Sequence, residues 1–147
     1  MRGVSPSLLT PRVRRVAIVA LGLLWAASIG GTAATMSNGK PFAGFAILIL
    51  GWTEVPLGQP AWLANLFLLA AWLLIARTRV TRPRLLTILG IALMACAIAA
   101  LFWRTIPDTT GPKAIVTYHA GYYLWMAAVI GTSLAAVAIA STESSRE

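Results

Sequence analysis

The chain has 147 residues, 59% of them apolar and only 11% charged, with a formal net charge of +8 at pH 7. This composition lies outside the range of soluble globular domains and predicts an integral membrane protein in a lipid bilayer. It also argues against nucleic acid as a partner, because the basic residues flank apolar runs instead of forming a patch on a polar surface.

The first apolar run covers residues 16–35 and follows a basic lead-in at residues 1–15. Its length is close to the ~20 residues that a helix needs to cross a bilayer, so it predicts a first span. A cleaved signal peptide is the alternative, because Thr32-Ala33-Ala34 could serve as a small-residue cleavage site. The run is longer than the usual ~7–15 apolar residues of a signal peptide, which favours a retained span.

A shorter apolar run at residues 42–52 would reach only about 16 Å as a helix, roughly half a bilayer. It therefore predicts a re-entrant or interfacial helix rather than a span. The remaining apolar runs predict three further spans, at residues 61–76, 85–103 and 115–140, before a polar tail at 141–147. The expected fold is an all-α bundle of four transmembrane helices, with the short helix on the outer side and a single domain over 1–147.

Orientation follows from the positively charged residues between these spans. Nine of the twelve fall on the side of the lead-in, the 77–84 loop and the tail. Only Lys40, Arg104 and Lys113 fall on the other side. This asymmetry predicts a bacterial inner-membrane protein with both termini in the cytoplasm.

The candidate functional residues then lie in the outer half of the membrane or at its outer surface: Glu54, Asn65, His119, Tyr122 and Trp125. Trp25 and Trp72 are assigned to the inner half. Asn65 lies one turn inside a span, so its amide is expected to hydrogen-bond to another helix or to the re-entrant backbone. The aromatic residues Tyr122 and Trp125 share a helix face, which more often packs on a neighbouring helix than on a ligand.

Two titratable residues have alternative interpretations. Glu54 would be a desolvated proton- or cation-binding acid in a re-entrant hairpin, but an ordinary solvated charge in an interfacial loop. His119 could accept a proton or bind a metal, although a single interfacial histidine is more often just a polar residue at a helix start. With one histidine and one cysteine, Cys96, the chain offers no disulfide and no cluster for zinc or bis-histidine haem, so no cofactor or metal is predicted.

Three short strings carry a resemblance: Gly51-Trp52, Ala61-Trp62-Leu63-Ala64-Asn65 and Gly121-Tyr122-Tyr123-Leu124-Trp125. Together they resemble a group of small, functionally uncharacterised bacterial inner-membrane proteins with the same four-span layout. In that group a proline often follows the asparagine, whereas Leu66 stands there in this chain. The resemblance implies the layout and carries no activity.

Three functions follow as hypotheses. The first is an accessory or scaffold membrane subunit without catalysis, partnered by a second copy or another membrane protein, because no motif for catalysis or phosphate binding is found. The second is a small oligomeric transporter or channel in which Glu54 is the coupling carboxylate and Tyr122 and Trp125 line an aromatic cation pocket. The third is a membrane enzyme or quinone-site protein that uses His119, Tyr122 and Tyr123 at the outer interface.

Overall fold

The computed structural model describes residues 10–77, 82–106 and 111–144, without the side chains of Glu54 and Leu57. In that part of the chain five α-helices occur: α1 (Pro11–Gly30), α2 (Gly44–Leu50), α3 (Ala64–Ile75), α4 (Pro83–Leu101) and α5 (Ala120–Ser144). Two 3₁₀ segments, Gly51–Leu57 and Pro60–Leu63, connect α2 to α3. Four strands complete the fold: β1 (Thr32–Met36), β2 (Pro41–Ala43), β3 (Thr105–Ile106) and β4 (Lys113–Tyr118).

Helix α1 begins and ends earlier than the first predicted span. The Thr10 side chain accepts a hydrogen bond from the Val13 amide at 3.3 Å, and Pro11 occupies the first turn, so the helix starts inside the basic lead-in. Its C-cap, Gly31, has extended backbone. The predicted bounds of 16–35 are therefore wrong at both ends, and residues 32–36 form β1 instead.

The prediction of an all-α fold is wrong because the chain forms a four-stranded sheet in the order β2-β1-β4-β3. All pairs are antiparallel. A hairpin joins β1 to β2, with Gly39 at φ +77° in its turn. Strand β1 also pairs with β4, and Thr35 lies opposite Thr117. This second pairing joins segments that are distant in the sequence, which explains why no local pattern revealed it.

The predicted half-span at 42–52 is replaced by three consecutive elements. Phe42 and Ala43 belong to β2, helix α2 has only seven residues, and a 3₁₀ segment follows from Gly51. The predicted span at 61–76 corresponds to the 3₁₀ segment Pro60–Leu63 followed by α3. The short helix was thus predicted in the right place, but it is shorter than expected and enters from a strand.

The two later spans are shifted along the chain. Helix α4 starts and ends two residues before the predicted 85–103. The predicted span of 115–140 is wrong at its beginning, because residues 113–118 form β4 and α5 starts only at Ala120. β-branched and aromatic side chains from Ile115 to Tyr118 favour the strand. Helix α5 then continues into the predicted polar tail as far as Ser144.

Helices α1, α4 and α5 are long and apolar enough to cross a membrane, by length and composition, within the described part of the chain. Large apolar side chains on the outside of the bundle remain exposed, among them Val16, Leu73, Ile91 and Leu134, each at least 60%. Such continuous apolar exposure is unfavourable in water. The fold is therefore mostly helical and compatible with a membrane, with its sheet at one end.

Helices α3, α4 and α5 pack around fully buried side chains that include Leu68, Leu93 and Val129. Two hydrogen bonds cross this core: the Trp72 indole donates to the Thr132 hydroxyl at 3.0 Å, and the Ser133 hydroxyl donates to the Gly90 carbonyl at 2.7 Å. We call the end of the bundle with β1–β4 the sheet end. The opposite end, where α1 and α4 start and α3 and α5 finish, is called the arginine end.

Candidate functional site

A cavity of about 60 Å³ lies at the sheet end, among α1, α2, the 3₁₀ segments and the start of α5. Five aromatic residues line it: Trp25, Trp62, Trp103, Tyr122 and Trp125. Its polar lining residues are Ser28, Gln59 and Asn65, and among the side chains that the structure describes no acid lines the cavity. A concave, mostly apolar space with a few polar groups is the usual form of a small-molecule site.

Asn65 organises the wall of this cavity. Its side-chain oxygen accepts hydrogen bonds from the indole nitrogens of Trp25 at 3.0 Å and Trp125 at 3.1 Å. Its amide nitrogen donates to the Trp62 carbonyl at 3.1 Å. An amide oxygen has two lone pairs, and each of them accepts one of these indole N–H groups. The buried amide thus joins α1, α3 and α5 and orients two of the five rings.

Trp62 connects the cavity to helix α2. Its indole nitrogen donates to the Leu48 carbonyl at 2.9 Å. Gly51 lies against the same ring, since a Cβ there would approach Trp62 Cδ1 to 2.6 Å. The bond also satisfies a carbonyl near the end of a seven-residue helix, where intrahelical donors are absent. Trp62 therefore holds α2 over the cavity.

Two other glycines bring backbone close to the cavity. A Cβ on Gly44 would lie 2.1 Å from the Ser28 carbonyl oxygen, and one on Gly121 would lie 2.7 Å from the Thr32 carbonyl oxygen. Any side chain at either position would push α2 or α5 away from α1. Glycine is therefore required here by close approach, not by an unusual backbone conformation.

Tyr122 closes the cavity toward the sheet. Its hydroxyl donates to the Ala100 carbonyl at 3.0 Å, and its ring stacks on Tyr118 with centroids 4.4 Å apart. The Tyr118 hydroxyl in turn donates to the Trp103 carbonyl. These bonds satisfy carbonyls near the end of α4 and connect that helix to β4 and α5.

Most polar groups of the lining are thus bonded to protein partners. The Ser28 hydroxyl donates to the Trp25 carbonyl at 2.6 Å, and the Gln59 side-chain oxygen accepts from the Ala61 amide at 3.4 Å. The rest of the wall is apolar, formed by the rings and by aliphatic side chains such as Ile29, Ile47 and Leu48.

The structure brings together three of the five predicted residues. Asn65, Tyr122 and Trp125 line the cavity, and the expected hydrogen bond of Asn65 to another helix is present twice. His119 lies outside the lining and hydrogen-bonds to the Thr35 hydroxyl at 2.7 Å, between β4 and β1. The Glu54 side chain lies outside what the structure describes.

The predicted trio of His119, Tyr122 and Tyr123 does not form one site. Tyr123 is 60% exposed and contacts the Tyr122 ring edge-on, whereas the His119 ring is bound to the sheet. No group of three or more His, Cys, Asp or Glu residues that could hold a metal occurs among the described residues. Among the lining side chains that the structure describes, no acid faces a base across the cavity.

Trp25 is a lining residue that the sequence analysis did not place beside Asn65, Tyr122 and Trp125. The expected helix of 16–35 placed it mid-span, but α1 ends at Gly30, so Trp25 lies near the sheet end. The signal that was available is the Thr10-Pro11 cap, which fixes the start of α1.

No family model matches the chain, and no match was found among curated proteins or solved structures. The resemblance carried by the three strings therefore stays an expectation, and the geometry of the cavity is the basis for function.

Proposed function

We propose that this protein is a non-catalytic, four-span protein of the bacterial inner membrane that holds a small neutral group in its aromatic cavity. The cavity lined by five aromatic rings is the observation that carries the proposal. An accessory role beside a second copy or another membrane protein agrees with such a site, because holding a ligand needs no catalytic groups.

Four membrane crossings are supported by α1, α4 and α5 together with α3 and its 3₁₀ lead-in. That fourth segment would measure about 26 Å, close to the thickness of hydrocarbon that a tilted or anchored helix must cross. Arg12, Arg15, Arg77, Arg82 and Arg84 all lie exposed at one end of the bundle. In a bacterial membrane this end would face the cytoplasm, with both termini, and the sheet end would face outward.

The hydrogen bonds that the lining residues make within the protein favour an uncharged, apolar ligand. Ser28, Asn65, Tyr122 and the indoles of Trp25, Trp62 and Trp125 already have hydrogen-bond partners in the protein. A polar ligand entering the cavity would lose its hydration without gaining equivalent bonds. A flat ring or the end of an acyl chain has no such loss and gains contact with the aromatic walls.

The size of the cavity limits the group that it can hold. A volume of about 60 Å³ corresponds to roughly four to six water-sized positions. This suits the edge of a ring, or a short end of a longer molecule that otherwise lies in the bilayer. Benzene and tetramethylammonium are similar to each other in size and differ in charge, so they make a matched pair of probes.

The experiment measures thermal unfolding of the purified protein in a neutral detergent with each probe. Benzene is expected to raise the melting temperature of the wild type in a saturable way, because a ligand that binds only the folded state stabilises it. Ala61→Leu, which fills the lining, should abolish the effect, whereas Ala20→Leu, at an exposed position of α1, should retain it. No saturable effect of either probe would overturn the proposal.

A second candidate is the oligomeric transporter or channel for organic cations. Tyr122 and Trp125 both line the cavity with three further indoles, and aromatic rings attract cations through their faces. In that case tetramethylammonium, not benzene, would stabilise the wild type and lose its effect in Ala61→Leu. Proton-coupled uptake of tetramethylammonium into cells would then have to fail in Glu54→Gln.

A further inference from the structure

A second, much smaller pocket lies at the arginine end, at the opposite end of the helices from the aromatic cavity. It is lined by Pro11, Arg14 and Arg15 from the first turns of α1 and by Ile75, Ala76 and Arg77 at the end of α3. Its volume is about 10 Å³, which is close to the space that a single water needs. The pocket can therefore hold one oxygen-sized atom.

Arg14 is unusual among the arginines at this end because it is buried, with 7% of its surface exposed. One terminal nitrogen lies 2.5 Å from the Glu143 carboxylate on α5, which balances its charge. Its Nε is also buried and has no hydrogen-bond partner in the part of the chain that the structure describes. A buried charged donor without a partner is unfavourable, so this N–H calls for an acceptor that the described residues do not supply.

Charge at the mouth of the pocket identifies that acceptor as an anion. Because Glu143 already balances Arg14, no acid within residues 10–77, 82–106 and 111–144 forms an ion pair with the exposed Arg15 and Arg77. The N-terminus of α1 adds a partial positive charge at the same place. Arginine side chains and helix N-termini are the groups that proteins use to bind phosphate.

We propose that this pocket binds a phosphate group, with one phosphoryl oxygen accepting from Arg14 Nε and the others facing Arg15 and Arg77. An anionic phospholipid headgroup and free inorganic phosphate share this chemistry. A lipid is the expected source because the outside of α1 offers its chains the apolar side chains of Val13 and Val16, which are 45% and 63% exposed.

The test compares two double variants that lose the same charge at the same end. Arg15→Gln with Arg77→Gln removes the pocket's exposed arginines, whereas Arg82→Gln with Arg84→Gln removes two exposed arginines outside its lining. All four side chains are exposed, so both variants should fold, and their melting temperatures check this. Native mass spectrometry then measures binding of phosphatidylglycerol, diacylglycerol and inorganic phosphate to each protein.

Phosphatidylglycerol is expected to bind the wild type, and diacylglycerol is not. The affinity for phosphatidylglycerol should fall about tenfold in the pocket variant and less than about twofold in the control variant. Binding of inorganic phosphate with the same dependence would also support the site and identify free phosphate as a ligand. Equal losses in both variants would mean general attraction of anionic lipid to a basic end and would overturn the proposal. So would the absence of phosphate-dependent binding, which would leave a water as the partner of Arg14. Neither result bears on the aromatic cavity, which the benzene experiment tests separately.

Discussion

The indole nitrogen of Trp25 donates to the side-chain oxygen of Asn65 across 3.0 Å, although the two residues are 40 positions apart. Trp125 donates to the same oxygen from a third helix. One buried amide therefore determines how α1 and α5 sit against α3. The stability of the protein and the shape of the aromatic cavity therefore both depend on this oxygen atom.

Replacing this amide should destabilise the protein. Asn65→Leu leaves two indole N–H groups without an acceptor, and each is expected to cost about 1–3 kcal/mol. Unfolding in mixed detergent measures the loss. A double-mutant cycle supplies the control: Trp125→Phe should cost less in the Asn65→Leu background than in the wild type. Simple additivity of the two substitutions would contradict a shared hydrogen bond.

The glycine contacts at the cavity predict opposite effects of the same substitution at two positions. Gly44→Ala places a Cβ against the Ser28 carbonyl, so it should destabilise by about 1–3 kcal/mol and loosen α2. Gly22→Ala meets no atom within 4 Å and replaces a glycine inside α1, so it should be neutral or stabilise by up to about 1 kcal/mol. The unfolding experiment above compares them directly, and an equal response would argue against close packing of α2 on α1.

The ion pair at the arginine end predicts a third effect. Glu143→Gln removes the carboxylate that balances the buried Arg14. The free energy of unfolding is expected to fall by about 1–3 kcal/mol, less than for a fully buried pair because Glu143 itself is 20% exposed. Arg12→Gln changes the net charge by one unit in the opposite direction, at an exposed position of α1, and should have little effect. If both variants unfold at the same detergent fraction, the pair contributes nothing measurable.

The proposed orientation predicts which cysteines a membrane-impermeant thiol reagent can reach in whole cells. Cys96 is buried and is first replaced by alanine. Lys40→Cys, in the exposed turn between β1 and β2, should react before lysis, whereas Arg77→Cys should react only after it. The reverse pattern would place the sheet end in the cytoplasm, and labelling of both before lysis would exclude a sealed four-span arrangement.

Several features were predictable because they depend on local chemistry. Apolar runs of helical length indicated α4 and α5, and the short run after Pro41 indicated a helix too short to cross a bilayer. Asn65 was expected to bond across helices because an unpaired amide is costly in an apolar interior. Tyr122 and Trp125 were recognised as one helix face, and that face lines the cavity.

The amino-acid sequence by itself determined that the protein is apolar, mostly helical and basic at one end, since these properties follow from composition and from periodicity along the chain. Only the tertiary structure decided the sheet, because β1 pairs with β4 across more than half of the chain and each strand is too short to signal itself. Because of the same distant pairing, α1 ends at Gly30 and α5 begins only at Ala120. Trp25, Asn65 and Trp125 therefore lie at the same level along the helix bundle. The cavity and the phosphate pocket therefore arise from contacts between elements, which no single segment encodes.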